Sequence, residues 1–486
     1  MAALFAVKAI FLAFCVTPLW DVPDEVGHYA LIADIADGRG LPLPGRSVIP
    51  EEVVSDWATK KTLSPEERWN WVAQHPPLYH LVAVPFLALG RLVTSDAHLR
   101  YKAPRLTSAL SGAGALLVFF ETFLEAGADP ALAFFAASSV GFLPMFSHMS
   151  SGTNHDVFLA LLCGVAALYF VRLTRSAEFA DGLRMSVALT LASAVKLSAV
   201  VVAAALLVLS FRLLASRGGR RLGQWLTMAV VSISLPTLWA LRQWILLGNA
   251  RLHPVSHNPF ALSSFFHYLR DDPVVDHTFK NFVGLIGWTG TGGGQLRWFQ
   301  ISGVFLGVFV ALSLVAAAGT AYWLWIMPGR GRRIGQIAAA AVFLFSFLWL
   351  FAGPDGAALP KRFLYTLLAS VPLLALPRLF RPGKTADFIP LAAQAVFCLF
   401  ALAYLVNSWE AYQIYGQMRA TNGRYFFAIL PFLAFAFLFP IGRLFPPRGS
   451  SVARNAVLAG LLILLFLNET AFFLFRVVPF YRAGLS

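Results

Sequence analysis

The chain has 486 residues, 58% of them hydrophobic and only 13% charged, which leaves too little polar surface to cover a soluble core of this size. A net charge of +14 would suit a nucleic-acid binder, but the basic residues stand in short clusters between apolar runs of bilayer-spanning length. That distribution excludes nucleic acid as a partner and predicts an all-α polytopic membrane protein.

Residues 4–20 form the first apolar run. It ends in Thr17-Pro18-Leu19-Trp20, lacks a small-x-small cleavage pattern and carries only Lys8 as a flanking charge, so it reads as an uncleaved span. With the N-terminus cytoplasmic, residues 21–103 become a large first outer loop. Spans follow near 104–124, 131–149 and 157–173. Later basic clusters at Arg212/Arg217/Arg220/Arg221, Arg330/Arg332/Arg333, Arg378/Arg381/Lys384 and Arg443/Arg448/Arg454 should be cytoplasmic.

This arrangement imposes two conditions. The stretch 76–93, which opens with Pro76-Pro77, must lie on the interface without crossing. The run 183–214 must cross twice and turn near Lys196, because as one helix it would reach about 48 Å against a core of about 30 Å. Further spans near 223–247, 299–326, 336–353, 363–380, 387–407, 425–445 and 455–474 give about 13 transmembrane helices in a single domain, 1–486. A second outer loop covers about 248–298. Cys15, Cys163 and Cys398 lie inside apolar runs and read as small core residues, with no disulfide or metal spacing.

Chemistry-bearing residues gather at the outer ends of these spans. Asp21, Asp24 and Glu25 follow span 1, with His28 one turn on; such carboxylates can act as a general base or hold a metal, or simply cap a helix beginning after Pro23. In Gln74-His75-Pro76-Pro77-Leu78-Tyr79 the diproline stiffens the chain around His75, which is either a site residue or an ordinary interfacial histidine. His155 and Asp156, in Ser151-Gly152-Thr153-Asn154-His155-Asp156, can cap span 4 or form a second wall opposite Asp24. Arg105, Lys196, Arg242, Arg362 and Arg424 sit at or near outer span ends, a pattern that suits an anionic ligand such as a phosphate. Snorkelling to lipid headgroups is the alternative for each, and fits Lys196 least.

Taken together, Pro23-Asp24-Glu25 with His28, His75-Pro76-Pro77-Leu78-Tyr79, Asn154-His155-Asp156, Val195-Lys196, Leu241-Arg242 with Gly248, and Gly423-Arg424-Tyr425 resemble the GT-C superfamily of membrane glycosyltransferases. The chain also resembles a bacterial branch of uncharacterised polytopic membrane proteins. Val26-Gly27 stands where that branch more often has Pro-Ala, and Ala194-Val195-Lys196 where it has Thr-Lys. The resemblance implies inverting transfer of a sugar from a polyprenyl-phosphate donor to a glycan, lipid or protein acceptor, on the extracytoplasmic face of a bacterial inner membrane. On that implication Asp24 is the base and Glu25 its understudy. Arg105, Lys196, Arg242 and Arg424 hold the leaving phosphate; His28, His75, His155, Asp156 and Tyr425 line the substrate site. A divalent cation is left open as a cofactor. A transporter or flippase of a lipid-linked anion is the rival reading, and a non-catalytic scaffold the third. No nucleotide-binding signature is present.

Overall fold

A computed structural model describes residues 1–57, 68–215, 220–248, 262–271, 385–416, 422–435 and 451–483, with a few further positions between 274 and 297. The spans expected at 299–326, 336–353 and 363–380, much of the second outer loop, residues 436–445 of the span expected at 425–445, Arg217, Arg362 and the clusters at Arg330–Arg333, Arg378–Lys384, Arg443 and Arg448 lie outside them. The chain is a helical membrane protein. Among the described residues five helices are long and apolar enough to cross a bilayer, or six if one bent pair is a single span.

Helix α1 (Ala2–Phe11) continues as a π-turn to Val16, so the first helix ends four residues before the expected boundary, and Thr17 is already extended. Helices α2 (Glu25–Ala36) and α3 (Glu51–Trp57) and a 3₁₀ turn at Trp71–Gln74 follow. Helix α4 (Leu78–Val93) has 16 residues and a proline inside it, Pro85. At 1.5 Å per residue it measures about 24 Å, short of the hydrocarbon core. Tyr79, His80, Ala83, Leu87 and Gly90 are buried along one face, while Leu81, Val82, Leu89, Leu92 and Val93 are exposed on the other.

After α5 (Ala97–Lys102) comes the main bundle: α6 (Arg105–Glu125), α7 (Pro130–Gly141), α8 (Pro144–Ser150), α9 (His155–Ser176), α10 (Phe179–Ser193), α11 (Ala199–Ala215) and α12 (Arg220–Leu247). Helices α7 and α8 meet at a 66° bend, because Pro144 opens the second and cannot continue the first. Asp129 caps α7, accepting the Ala131 and Leu132 N–H groups, and Pro130 takes the first helical position. The run 183–214 breaks at 194–198, as the length argument requires, with Lys196 in the turn between α10 and α11. Helix α6 packs on α1, α7 and α9; α9 packs on α10, and α10 on α12. Small residues on these faces (Ala109, Ala113, Ala160, Ala167) let the backbones approach, the usual source of helix association where lipid offers no hydrophobic drive.

Helices α13 (Leu262–Asp271), α14 (Thr385–Tyr415), α15 (Ser451–Phe472) and α16 (Val478–Ala483) complete the described helices, with a 3₁₀ segment at Gly423–Ile429. A two-residue ladder pairs Leu285–Ile286 with Leu296–Arg297. Helix α15 is pinned in the bundle by Glu469. Lys8 donates to its two carboxylate oxygens at 3.0 and 2.8 Å, and Ser147 beside the α7–α8 bend donates to it as well. Cys163 is buried as expected, but Cys15 is exposed and Cys398 half-buried; all three are free thiols.

Candidate functional site

The site begins in the loop that leaves the first helix. Trp20 and Asp24 both take left-handed backbone angles (φ 66° and 65°), which costs a non-glycine residue about 1–3 kcal/mol each. Glu25 holds the loop in that shape. Its carboxylate receives the Trp20 N–H at 2.9 Å, the Thr153 N–H at 2.9 Å, and Arg105 Nε and Nη2 at 2.7 and 2.8 Å. The remaining Arg105 donors go to the carbonyls of Ala13, Thr17 and Pro18 at 2.6–2.8 Å. All five guanidinium N–H groups are thereby used, and both side chains are fully buried. In this arrangement both Glu25 oxygens and every Arg105 donor are engaged within the protein.

One residue before Glu25, Asp24 turns the other way. Its Oδ1 accepts from Trp71 Nε1 at 2.8 Å and its Oδ2 from Arg424 Nη2. The Arg424 Nη1 donates to the Pro23 carbonyl at 3.0 Å, which also accepts from Asn154 Nδ2 at 3.0 Å. Asn154 in turn caps α9 by accepting the Asp156 N–H at 2.8 Å. Asn422 does the same for the 3₁₀ segment, accepting the Arg424 N–H at 3.1 Å. Two capping asparagines, 268 positions apart in sequence, thus aim Asp156 and Arg424 at the Asp24 loop.

The result is a row of alternating charge. Arg424 bonds Asp24 and has its Nε 3.4 Å from Asp156 Oδ2; Lys196 Nζ donates to Asp156 Oδ1 at 2.6 Å. Lys196 also sits 4.3 Å above the Tyr425 ring, and Arg424 5.7 Å from it. Asp156, Arg424 and Lys196 are buried, whereas the Asp24 side chain keeps 23% of its surface open. Burial alone would raise the Asp24 pKa; the Arg424 charge and the hydrogen bonds from Trp71 and Arg424 outweigh it and hold the carboxyl below its ordinary value.

Histidines form the adjoining wall. His28 Nδ1 and His80 Nε2 are 3.0 Å apart, His155 meets the His28 and His75 rings edge-on at 4.4 and 4.7 Å, and His155 Nε2 lies 3.4 Å from Asp156 Oδ1. Burial, with the neighbouring His155, His80 and His75, pushes the His28 pKa well below its ordinary value. A divalent cation does not fit these residues. Arg424 lies between Asp24 and Asp156, Lys196 occupies the second carboxylate, and no group of three acidic, histidine or cysteine side chains converges among the described residues.

Of the expected site residues, the structure brings together Asp24, His28, His75, His155, Asp156, Lys196, Arg424 and Tyr425. Arg242 is elsewhere. It donates to the carbonyls of Pro42 and Leu41 at 2.9 and 3.3 Å and stacks on Trp239, so it ties the first loop to α12 and does not join the row of charges. Sequence reasoning missed Trp71 and His80, which carry no motif of their own. It also passed over Glu469, an acid inside an apolar run whose cost alone marks it as paired. Tyr481, which donates to the buried Asp21, was missed as well.

No protein-family model matches the chain, and no curated protein matches it. Solved structures similar to it include ArnT from Cupriavidus metallidurans bound to undecaprenyl phosphate, 14% identical over 91% of this chain and 76% of that one, with a TM-score of 0.38. Another is the oligosaccharyltransferase AglB from Archaeoglobus fulgidus in complex with an inhibitory peptide and a dolichol-phosphate. It is 14% identical over 97% of this chain and 54% of that one, with a TM-score of 0.38, so the chain spans about half the length of the archaeal enzyme. At these scores the likeness says nothing about which residues of this chain act.

Proposed function

We propose that the chain is a membrane glycosyltransferase that moves a sugar from a polyprenyl-phosphate donor to an acceptor hydroxyl, with inversion, at the extracytoplasmic face of a bacterial inner membrane. The observation that carries this reading is the neutral row Asp24–Arg424–Asp156–Lys196, open to approach at Asp24. Two donor positions in it are open to a ligand: among the described residues Arg424 Nε has no hydrogen-bond partner, with Asp156 Oδ2 at 3.4 Å, and Lys196 donates to Asp156 alone. They suit the oxygens of a phosphate diester.

The acceptor oxygen attacks the anomeric carbon as the bond from that carbon to the phosphate oxygen breaks, and the bonding electron pair leaves on the phosphate. The acceptor proton passes to the Asp24 carboxylate. The phosphate then gains one negative charge, while protonation of Asp24 leaves the row with one net positive charge. Arg424, released from part of its pairing with Asp24, can turn toward the departing phosphate. Charge moves across the site without a net change in a low-dielectric surround, where an uncompensated charge is costly.

The test is transfer of labelled sugar from a polyprenyl-phosphate donor by purified protein, with Asp24→Asn beside it at matched expression and fold. Loss of transfer by about 10²–10⁴-fold with donor binding intact supports the base assignment. Donor lipid crossing vesicle leaflets with no label transferred, and Asp24→Asn without effect, would replace the transferase reading with a transporter.

A further inference from the structure

The segment Asn70–Leu78 runs as a strap from the Asp24 side of the site to the turn that holds Lys196. At its start the buried Asn70 side chain donates to the Gly27 carbonyl of α2 at 2.9 Å and accepts the Val72 N–H at 3.0 Å. The Asn70 N–H donates to the Ser47 carbonyl at 3.0 Å. Next to it, Trp71 Nε1 donates to Asp24 Oδ1 at 2.8 Å. His75, midway, meets the His155 ring edge-on. At the far end, past Pro76-Pro77, the Leu78 N–H donates to the Ala194 carbonyl at 3.1 Å, two residues before Lys196. The strap is thus fastened at both ends, and the diproline restricts its backbone between them.

Asp24 stands at the N-cap of α2, where an aspartate ordinarily accepts N–H groups of the first helical turn, yet its side chain makes no cap bond. The carboxylate is turned out to Trp71 and Arg424 instead, and the two hold it differently. Oδ1 has a neutral donor and Oδ2 a cation. When the carboxyl takes a proton, the protonated oxygen becomes a hydroxyl that must itself donate, and the other oxygen remains a carbonyl acceptor. One of the two donors must then give way. Arg424 has other acceptors in place, since Nη1 bonds the Pro23 carbonyl and Nε lies 3.4 Å from Asp156 Oδ2. The indole has a single N–H and no second donor to fall back on.

We propose that Trp71 is a positioning residue, which holds Asp24 Oδ1 throughout the transfer while Oδ2 exchanges Arg424 for the acceptor proton. The proposal rests on the transferase reading. The acceptor O–H proton goes to a lone pair of Oδ2, and its bonding pair stays on the acceptor oxygen. That oxygen bonds the anomeric carbon as the carbon–phosphate oxygen bond breaks, its pair leaving on the phosphate. Anchored at one oxygen, the carboxyl keeps its orientation when the ion pair loosens.

The experiment uses the full chain in nanodiscs, with labelled polyprenyl-phosphate sugars as donors and methyl glycosides as acceptors. The wild type is compared with Trp71→Phe and with protein in which Trp71 is replaced by benzothienylalanine, a ring of the same shape with sulfur in place of the N–H. Both variants should lose about tenfold or more in kcat at saturating donor, with the donor KM within about twofold of the wild type. The acid limb of kcat/KM should move to higher pH in both. The Trp71 hydrogen bond favours the charged carboxylate, as Arg424 and Lys196 also do, and only the first is removed. Asp156 and Tyr425, which complete the ionisable groups around Arg424, are likewise untouched. A benzothienylalanine protein that turns over like the wild type, or that slows with its acid limb unmoved, overturns the proposal, because the N–H would then not be what matters. A wild type that transfers no label overturns the transferase reading together with it, whereas a wild type that transfers beside an unaffected variant overturns the role of Trp71 alone.

Discussion

Asp156 and Lys196 form a buried ion pair at 2.6 Å between the start of α9 and the turn joining α10 to α11. Forty positions separate them, so the pair fixes one helical hairpin against its neighbour. Removing one partner leaves a charge in the bundle core, which generally costs about 3–5 kcal/mol. Lys196→Met should fall at the low end of that range, because Arg424 Nε stands 3.4 Å from the other Asp156 oxygen and still offsets part of the charge. Asp156→Asn combined with Lys196→Met should recover about half of the loss. Denaturation of the four proteins in one detergent gives the cycle, and strict additivity would show that the two side chains are not coupled.

Arg105 and Glu25 carry a different expectation from Arg424 and Asp24, although all four were legible as charged residues at span ends. Arg105→Lys keeps the charge but replaces five fixed donors by three on a flexible stem. Since three of the five go to carbonyls at the end of the first helix, the variant should unfold more easily by about 3 kcal/mol or more. Donor affinity of the folded fraction should stay within about twofold of the wild type, as no phosphate contact is lost. Arg424→Lys should do the opposite, cutting turnover by about 10²-fold with a smaller loss of stability. A drop in donor affinity for Arg105→Lys at intact fold would return Arg105 to the phosphate site.

What the sequence made legible was the type of each residue and the helix it serves. The break at Lys196 followed from length alone. Which charges satisfy each other did not follow. Asp24 and Glu25 are neighbours in one motif, yet the left-handed turn at Asp24 sends their carboxylates to different partners. No spacing rule encodes that turn. Nor could Trp71 be read as a donor to Asp24, since a lone tryptophan on an outer loop is ordinary. A side chain at Gly27 would meet Val72 Cγ2 at 2.6 Å and Asn70 Oδ1 at 2.8 Å, on the segment that positions Trp71.

Acid should destabilise this protein, and His28 and Asp24 are two of the groups through which it acts. The His28 pKa is depressed in the folded state, so below the ordinary value of about 6.5 the unfolded chain takes up a proton that the folded chain refuses, and stability falls as pH drops. Asp24 is also depressed, so its contribution is complete above its ordinary value of about 3.9 and is lost as pH falls through its lower folded value. His28→Gln should therefore reduce the loss of stability that sets in below about pH 6.5, and Asp24→Asn only the loss below about pH 4. Denaturant midpoints measured across this range in one detergent decide it. An unchanged slope for His28→Gln would mean that the imidazole is charged in the folded protein.

Gly152 offers the sharpest link between packing and turnover. A methyl group there would stand 2.3 Å from Val22 Cγ2, 2.5 Å from Cβ and 2.7 Å from Cγ1. Val22 is fully buried in the loop between the two left-handed residues, and a β-branched side chain has few rotamers to retreat into. The displacement must pass to the backbone that carries Asp24. It also pulls on Thr153, whose N–H holds Glu25. Gly152→Ala should lose about 1–3 kcal/mol from overpacking, as any crowded core position would. Its turnover should fall much further, by about 10²-fold at saturating donor, because an error of about 1 Å in the base is enough for that. Adding Val22→Ala vacates the space and should restore most of the turnover while lowering stability again, since a cavity opens where the valine stood. Recovery of rate together with loss of stability separates positioning from mere destabilisation. If both fall together in the double variant, the loop does not set Asp24, and the charged row acts without it.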